Sequence, residues 1–491
     1  MKETNLDFDV VVVGCGIAGL SAAVSAQQNG ARVALLERAS KEERGGNTRY
    51  TESFWRMKSK DQVSDDFEQQ LAMNAGGHLD PSVISDSALP YEEWSPITKS
   101  LGFVDPEVIT ALADNAGPTL NWLSTFGVDF DFLPNYFITQ STTRIAPAGG
   151  GLALVEALSA YIEGVSNSAE VFYHTTARKL TLDKNGKIAG LSAIGPDNQI
   201  CEFNAPAVVL ASGGFEGNPE MLSQYIGPET QFIRPVARGG YYNRGEGIRM
   251  ALELGAAPCG DFGSFHAQPV DPRSGRHEPV VLNFPYGILV NREGLRFTDE
   301  APATVDACYE AITREIMAQK EGIAYTICDS SLEDVPNWQK SVRTEISPIE
   351  ADSISELSTA LGLVANNLEN TVDAYNASCP SSAEFKPLEL DSLATKGIVP
   401  SKSNWARPII LPPFKAWPVI AANCFTFGGL KIDSHARVVN ADGNPVHGLY
   451  AAGETAGIYY RTYTGSTSVM RGAVFGRIAG MDAAGLEKGQ L

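Results

Sequence analysis

Short apolar runs and a helical segment alternate at the start of the chain. Phe8–Val13 is almost wholly apolar and β-branched, which is typical of a strand buried on both faces of a parallel sheet. Leu20–Gln28 is rich in alanine, as in a helix packed on such a sheet, and Arg32–Leu36 is a second apolar run. This order predicts a βαβ unit at the N-terminus.

Later apolar runs predict more strands for the same sheet. Val208–Ala211 runs into a glycine turn, and Gly448–Glu454 is a short strand that ends in Gly-Glu. Ser466–Ala484 then predicts a C-terminal helix. Val171–Leu180 and Lys187–Ile194 flank an Asn-Gly turn, which predicts a β-hairpin.

The pattern changes in the middle of the chain, where strand-like and helical runs alternate with proline- and serine-containing loops. We predict a nucleotide-binding domain built from residues 1–262 and 425–491. Residues 263–424 form a capping domain inserted between these two parts.

Charge and cysteine content exclude several functions. The chain has 38 basic and 58 acidic residues and a net charge of −20, which argues against a nucleic-acid binder. Its seven cysteines form no CxxC pattern, so we expect no metal, haem or iron–sulfur site. Because the sequence has no long apolar stretch and no signal-peptide pattern, we expect no membrane span and a cytoplasmic location.

A GxGxxG motif follows the first strand directly. Gly14 allows the tight turn, Gly16 lets the backbone approach a pyrophosphate, and Gly19 lets the helix pack on the strand. The helix N-terminus offers free N–H groups to phosphates. Glu37, 18 positions after Gly19, can accept hydrogen bonds from a ribose. This context predicts a dinucleotide site.

NAD and FAD share this fingerprint, but three features favour FAD. The chain has one such βαβ unit, a glycine-rich loop follows the second strand, and Gly453-Glu454 precedes a helix whose N-terminus can face a flavin. The fold class is therefore α/β: a Rossmann FAD-binding domain of the glutathione-reductase type with an inserted α+β cap. We predict that FAD contacts Gly14, Gly16, Ile17, Ala18, Gly19, Glu37, Arg38, Gly45, Gly46, Asn47, Thr48, Ala177, Ala211, Ser212, Gly213, Gly453, Glu454, Ser466, Ser468 and Val469.

A series of motifs carries a family resemblance over nearly the whole chain. In order they are GxGxxG, Gly45–Thr48, Leu210–Phe215, Val290–Phe297, Phe427–Gly429 and Leu449–Glu454. The series resembles the fumarate reductase/succinate dehydrogenase flavoprotein superfamily. Within it, the chain looks most like tricarballylate dehydrogenases and is similar to 3-ketosteroid and 4-oxocyclohexanecarboxylate desaturases. The resemblance implies a mobile cap and chemistry at a Cα–Cβ bond, where one hydrogen leaves as a proton and the other as hydride to flavin N5.

Departures from the family pattern limit what the resemblance implies. Thr304, Phe425 and Tyr463 stand where fumarate reductases carry the catalytic arginine, a carboxylate-binding histidine and a second substrate arginine. These differences argue against fumarate reduction. Members with covalent FAD carry a histidine beside the glycine-rich loop, and 45–57 contains none, so we expect non-covalent FAD.

Three residues, Tyr463, His266 and Arg461, are the main candidates for catalysis, and Arg471 and Arg144 are further ones. Tyr463 resembles a desaturase tyrosine that polarises a substrate carbonyl, although it could only pack on the flavin ring. His266, at the start of the cap, could take a proton or be structural. Arg461, or Arg471, could bind a carboxylate or form an ordinary ion pair. Arg144 is a weaker candidate.

The sequence therefore predicts a FAD-dependent dehydrogenase that introduces a Cα–Cβ double bond into a small carboxylic or oxo-carboxylic acid. Its partners are an acid or ketone substrate and an external electron acceptor: oxygen, a quinone or an iron–sulfur protein. Three alternatives stay open: an enoate reductase, a ketosteroid-like ketone desaturase, and a flavin-binding accessory protein without turnover.

Overall fold

The computed structural model describes residues 4–75, 80–101, 105–133, 144–165, 167–381 and 384–486. Its strands are β1 (Thr4–Asp7), β2 (Val10–Val13), β3 (Val33–Leu36), β4 (Phe130–Leu133), β5 (Arg144–Pro147), β6 (Ala169–Phe172), β7 (Thr176–Leu182), β8 (Ile188–Ile194), β9 (Ile200–Asn204), β10 (Ala207–Leu210), β11 (Arg234–Pro235), β12 (Pro258–Cys259), β13 (Phe265–Val270), β14 (Ile288–Asn291), β15 (Ile323–Cys328), β16 (Ile349–Ala351), β17 (Phe414–Thr426), β18 (Gly429–Leu430), β19 (Arg437–Val439) and β20 (Pro445–Ala451).

Its helices are α1 (Ile17–Gln28), α2 (Phe67–Ala75), α3 (Pro81–Ser87), α4 (Pro96–Ser100), α5 (Pro106–Ser124), α6 (Gly150–Gly164), α7 (Pro219–Tyr225), α8 (Glu246–Leu252), α9 (Val305–Met317), α10 (Ile354–Leu361), α11 (Asn367–Ser378) and α12 (Ser468–Leu486). Short 3₁₀ turns at Gly46–Tyr50 and Gly453–Thr455 adjoin the functional site described below.

A six-stranded sheet in the order β19-β20-β10-β2-β3-β6 forms the centre of the molecule. Its inner pairs are parallel, and every side chain of β2 and β10 is buried. The apolar runs of these strands fit this position, because parallel strands are covered on both faces. Helices α1 and α12 pack closely against each other, since a Cβ on Gly476 would lie only 2.2 Å from the Ala18 carbonyl oxygen.

A second six-stranded sheet lies mainly in the predicted cap. Long strand β17 is its axis and pairs with β11, β13, β15 and β16, while β14 pairs with β15. Helices α10 and α11 cover part of this sheet over a separate apolar cluster that includes Ile327, Leu357 and Tyr375. The domain boundaries stay a prediction, although β11 and the end of β17 carry this sheet beyond 263–424.

Two strand predictions need correction. The first strand of the central sheet is shorter than Phe8–Val13, because Phe8 and Asp9 connect β1, which pairs with β9, to β2, which begins at Val10. Val171–Leu180 is not one arm of a hairpin. Its first residues belong to β6 in the central sheet, and only β7 pairs with β8. Both errors arise because the connection between two neighbouring strands is only two or three residues long.

Within the described ranges, none of the helices combines the length and apolar character that crossing a bilayer requires. The cytoplasmic location stays a prediction. The described residues also contain no group of three or more His, Cys, Asp or Glu side chains placed to hold a metal ion.

Candidate active site

A cavity extends from the turn between β2 and α1 to the cap. Gly14 has φ +107°, and a Cβ there would lie 2.4 Å from the Ala211 carbonyl oxygen. A Cβ on Gly19 would lie 1.8 Å from the Gly14 carbonyl oxygen. Only glycine permits these approaches, which leave the N-terminus of α1 facing the cavity. The Ile17 N–H donates to the Thr48 hydroxyl at 3.1 Å.

Glu37 closes this end of the cavity at the carboxyl end of β3. Its carboxylate accepts hydrogen bonds from the backbone N–H groups of Cys15 (3.0 Å) and Ala39 (2.8 Å). Burial raises the pKa of Glu37, and the two N–H donors oppose that rise. Each carboxylate oxygen can accept a second hydrogen bond, as a ribose hydroxyl requires. The neighbouring Arg38 pairs with Glu246 at 3.1 Å.

The cavity fits a dinucleotide such as FAD. Ser212 Oγ and Asn47 Oδ1 are buried without a hydrogen-bond partner among the described residues, and both side chains line the cavity. Buried polar atoms are normally satisfied, so these two atoms indicate a missing ligand. Together with the glycine turn and the open helix end, they form a site for a diphosphate and its flanking groups.

Most of the predicted FAD contacts lie on this cavity. Gly19 and Gly45 do not line it. Gly19 packs behind the turn against Gly14, and Gly45 adopts φ +111° against Val155. The residues that line it are Gly14, Gly16, Ile17, Ala18, Glu37, Arg38, Gly46, Asn47, Thr48, Ala177, Ala211, Ser212, Gly213, Gly453, Glu454, Ser466, Ser468 and Val469.

A buried chain of three polar side chains forms the cap side of the cavity. The His266 Nδ1 lies 2.9 Å from a Glu310 carboxylate oxygen, and its Nε2 lies 3.2 Å from the Tyr309 hydroxyl. Because Glu310 can only accept when ionised, we assign the imidazole proton to Nδ1 and the phenol proton to the bond with Nε2. Burial raises the pKa of Glu310, but the bonds from His266 and Arg314 outweigh it and leave that pKa lowered.

A β-bulge aims His266 into the cavity. In the antiparallel pair β13 and β17, His266 lies opposite Phe425 but Ala267 lies opposite Asn423, so Cys424 is the extra residue. Its carbonyl oxygen accepts a hydrogen bond from the Asn47 side-chain amide at 2.9 Å. The bulge therefore connects the cap sheet to the glycine-rich loop.

Tyr463 lies at the N-terminus of α12. Its hydroxyl oxygen accepts hydrogen bonds from the backbone N–H groups of Thr467 and Ser468, both at 3.1 Å, and its proton goes to the Ser468 hydroxyl. Its ring packs on His266, with centroids 4.5 Å apart, and on Phe425. The structure thus brings Tyr463 and His266 together, as the sequence predicted for a shared site.

The two predicted arginines occupy different positions. Arg461 is exposed and does not line the cavity, so the structure does not bring it to the site. Arg471 lines the cavity but is fully buried, with its guanidinium 4.3 Å from the centre of the Tyr459 ring. Burial under an aromatic ring makes Arg471 a fixed internal charge and removes it as an exposed carboxylate clamp.

Sequence reasoning named Arg144 as a weaker candidate but missed the other charged residues at the cap end. Arg144 lies 3.5 Å from Asp306, and Arg343 lies 3.1 Å from Glu52 and 3.5 Å from Glu278. Burial, with the nearby charge of Glu52, raises the pKa of Glu278 to about 8.

Helical spacing in the sequence could have identified some of the residues at the cap end. Asp306, Tyr309 and Glu310 follow the Val290–Phe297 motif at helical i, i+3, i+4 spacing, which places them on one face of α9. Thr304, the residue aligned with the fumarate reductase arginine, stands at the N-cap of α9 and does not line the cavity.

The fold and the cavity define a dinucleotide-binding flavoprotein whose cavity extends to the predicted cap. The chain belongs to the family described as "FAD binding domain", whose model matches residues 9–469. It is 28% identical to the NADH:acrylate oxidoreductase of Vibrio harveyi over 99% of the chain, and spans 51% of that protein's length. It is also 28% identical to the fumarate reductase (cytochrome) of Shewanella frigidimarina, over 98% of the chain and 77% of that protein.

Desaturating enzymes are also similar. The chain is 28% identical to the 4-oxocyclohexanecarboxylate 2-dehydrogenase of Sinomonas cyclohexanicum, over 58% of the chain and 52% of that protein. Among solved structures, the open flavocytochrome c3 fumarate reductase has a TM-score of 0.73 at 22% identity, covering 98% of this chain and 78% of that one. The 3-ketosteroid-Δ4-(5α)-dehydrogenase of Rhodococcus jostii RHA1 has a TM-score of 0.66 at 24% identity, and the match covers 99% of this chain and 98% of that one.

These similarities decide several predictions. The flavoprotein fold, the FAD cofactor and the superfamily resemblance are confirmed. The enzyme class, a FAD-dependent oxidoreductase acting on CH–CH groups, is confirmed at the level of the family. The similarity to tricarballylate dehydrogenases is not shown by them.

Proposed function

We propose that the protein is a FAD-dependent dehydrogenase that introduces a Cα–Cβ double bond into a small acid or oxo-acid with one carboxylate. When bound, FAD accepts a hydride at N5. The observation that carries the proposal is the Glu310–His266–Tyr309 chain, which offers a proton path inside the cavity that holds the glycine turn.

Tyr309 takes the substrate α-proton in this proposal. Burial, with the charge of Glu310, raises the pKa of Tyr309 well above its ordinary value, so a lasting phenolate is unfavourable. The relay avoids it, because Tyr309 passes its own proton to His266 Nε2 as it accepts the new one. Glu310 then stabilises the imidazolium through Nδ1.

Tyr463 polarises the substrate carbonyl. Two N–H groups at the positive end of α12 donate to its oxygen, which makes its own proton a stronger donor. In this structure that proton goes to Ser468, and we propose that substrate replaces Ser468 as the acceptor. Negative charge that develops on the carbonyl oxygen is stabilised there.

The charges at the cap end support a substrate with a single carboxylate. Glu52, Glu278, Asp306 and Glu310 line this part of the cavity, and its arginines are already paired with carboxylates. A dicarboxylate would bring two negative charges to a wall whose two arginines are already neutralised by carboxylates. Glu278, whose pKa is about 8, holds its proton at neutral pH and can donate it to a carboxylate oxygen.

Anaerobic flavin bleaching tests the proposal. The holoenzyme is mixed with monocarboxylates, 4-oxocyclohexanecarboxylate, tricarballylate and ketosteroids, and each product is identified by mass. We expect bleaching by an acid or oxo-acid with one carboxylate and a product two hydrogens lighter. Bleaching by ketosteroids alone would contradict the acid substrate, and bleaching by none would favour a protein without turnover.

A second candidate is an enoate reductase. It is favoured by the relatives named as acrylate and fumarate reductases, which match 98–99% of the chain, and the same relay can deliver a proton in reverse. The enzyme is reduced with viologen and mixed anaerobically with acrylate, urocanate or fumarate. If these unsaturated acids reoxidise the reduced flavin faster than any saturated acid bleaches the oxidised flavin, the enzyme is a reductase. In either direction we propose an external electron partner: oxygen, a quinone or an iron–sulfur protein for the dehydrogenase.

Non-covalent FAD belongs to the same proposal, since 45–57 contains no histidine to form a covalent link. Acid precipitation of the holoenzyme should release all of its flavin to the supernatant. Yellow colour that stays with the precipitated chain would contradict it.

A further inference from the structure

Two glutamates meet at the wall between the central sheet and the cap, outside the proton path described above. Glu216 follows the glycine turn after β10 and is 1% exposed, and Glu454 lies in the 3₁₀ turn after β20 and lines the cavity. A Cβ on Gly214 would lie 2.2 Å from Glu454 Oε1, so glycine is needed there to admit this carboxyl group.

One oxygen of each carboxyl group, Oε1, accepts two hydrogen bonds from neighbouring N–H or O–H groups. Glu216 Oε1 accepts from the side-chain amides of Asn47 (2.6 Å) and Asn243 (2.5 Å). Glu454 Oε1 accepts from the backbone N–H of Thr426 at 2.7 Å and from its hydroxyl at 3.1 Å.

The remaining Glu216 oxygen needs a proton. Glu216 Oε2 is buried and receives no hydrogen bond from any other described N–H or O–H group. The Glu216 and Glu454 side chains are in hydrogen-bonding contact with each other. Two carboxyl groups can form that bond only if one of them carries a proton, because ionised carboxylates accept but do not donate.

The surrounding charge indicates one proton and not two. Arg471 is fully buried, and its positive charge acts on Glu454. A pair that holds one proton has a charge of −1, which Arg471 compensates. The buried Cys424 thiol also faces the pair. Burial, and then the charge of Glu454, raise the pKa of Glu216 well above its ordinary value.

We propose that Glu216 and Glu454 share one proton at neutral pH and so position the flavin-facing wall of the cavity. The pair holds three segments together. Asn47 connects Glu216 to the glycine-rich loop and to the Cys424 carbonyl at the bulge, and Thr426 connects Glu454 to the end of β17. Both glutamates are positioning residues, and the inference does not depend on which substrate the enzyme uses.

Infrared spectroscopy and thermal unfolding of the holoenzyme test the shared proton. Glu216→Gln keeps an acceptor for Asn47 and Asn243 and replaces the proton with an amide N–H. Because Glu278 also holds a proton at neutral pH, the spectra are compared in a Glu278→Gln background. In that background we expect a protonated-carboxyl C=O band at neutral pH that disappears when Glu216→Gln or Glu454→Gln is added. Glu170→Gln, which removes an exposed carboxylate on β6, should keep the band.

The pH dependence of unfolding gives a second readout that a merely structural role would not produce. The folded pair keeps a proton that the unfolded chain releases above pH about 4.3, so its contribution to stability falls as pH rises through neutrality. The Tm of the wild type should therefore fall relative to that of Glu216→Gln by about 1–2 °C per pH unit between pH 6 and 8.

Two results would overturn the inference: a carboxyl band that neither Glu216→Gln nor Glu454→Gln removes, or a Tm difference that stays constant with pH. If neither Glu216→Gln nor Glu454→Gln folds, the carboxyl band of the Glu278→Gln holoenzyme decides. Its loss on titration to high pH supports the pair, and its absence at every pH refutes it.

Discussion

The two ends of the cavity are built by different means. At the dinucleotide end, Gly14 to Gly19 form the site from consecutive backbone groups between a strand and a helix. At the cap end, His266 comes from β13, Tyr309 and Glu310 come from α9, and Tyr463 comes from the loop before α12. The first end is encoded locally, whereas the second depends on distant segments that meet only after folding.

This difference decides which residues tolerate change. At the dinucleotide end a Cβ added at Gly14 or Gly19 would collide with backbone, while at the cap end the proton path depends on particular side-chain groups. Substitutions at the first end should therefore remove the cofactor, and substitutions at the second should leave FAD bound and slow the reaction.

The largest effect is expected for Gly19→Ala. Its Cβ would meet the Gly14 carbonyl oxygen at 1.8 Å, and the turn must shift at a cost of about 1–3 kcal/mol. If this cost falls on the bound form, FAD affinity drops about 10- to 100-fold. Flavin absorbance and titration of the apoprotein with FAD measure this. The control is Gly164→Ala at the end of α6, where a Cβ meets nothing within 4 Å. Full FAD occupancy of Gly19→Ala would contradict the comparison.

Tyr309→Phe should separate chemistry from cofactor binding. Loss of the hydroxyl interrupts the relay to His266, so the rate of flavin bleaching should fall about 10²- to 10⁴-fold. Flavin content should not change. Tyr325→Phe removes a hydroxyl from the separate cap core and should leave the rate as it is. An unaltered rate in Tyr309→Phe would show that another residue accepts the substrate proton.

Glu278→Gln should change the pH dependence of substrate binding. In the wild type, Glu278 loses its proton above about pH 8 and then repels a substrate carboxylate, so KM for an acid should rise above that pH. The expected rise is about tenfold, equivalent to about 1.4 kcal/mol. In Glu278→Gln the KM should stay flat over that range, and a ketone substrate should show no such rise even in the wild type.

The smallest effect is expected for Arg461→Ala. Its exposed side chain lies outside the cavity, and surface changes of this kind are usually within about 0.5 kcal/mol, so kcat/KM should change by no more than about twofold. Steady-state kinetics decide this. A loss of tenfold or more would restore the carboxylate-binding role that the sequence suggested for Arg461.

The sequence predicted the dinucleotide end well, because the GxGxxG motif and Glu37 form a local pattern with a fixed geometry. It did not predict Arg343 or Glu278, since nothing along the chain relates residue 343 to residue 52. Asn47 was expected to contact FAD, but its side-chain NH2 group donates to Glu216 and to the Cys424 carbonyl. Only its Oδ1 has no hydrogen-bond partner among the described residues. Such long-range bonds carry no signal in a single sequence.

The bulge at Cys424 absorbs one extra residue without changing the pairing of the residues beyond it. Phe425 lies opposite His266 and Thr426 lies opposite Phe265, as they would in a regular ladder. Removing Cys424 would therefore leave the aromatic ring on His266 but would take away the carbonyl oxygen that Asn47 contacts. Relatives with a one-residue gap at this point should keep the inward-facing ring and attach their glycine-rich loop to the cap sheet in another way.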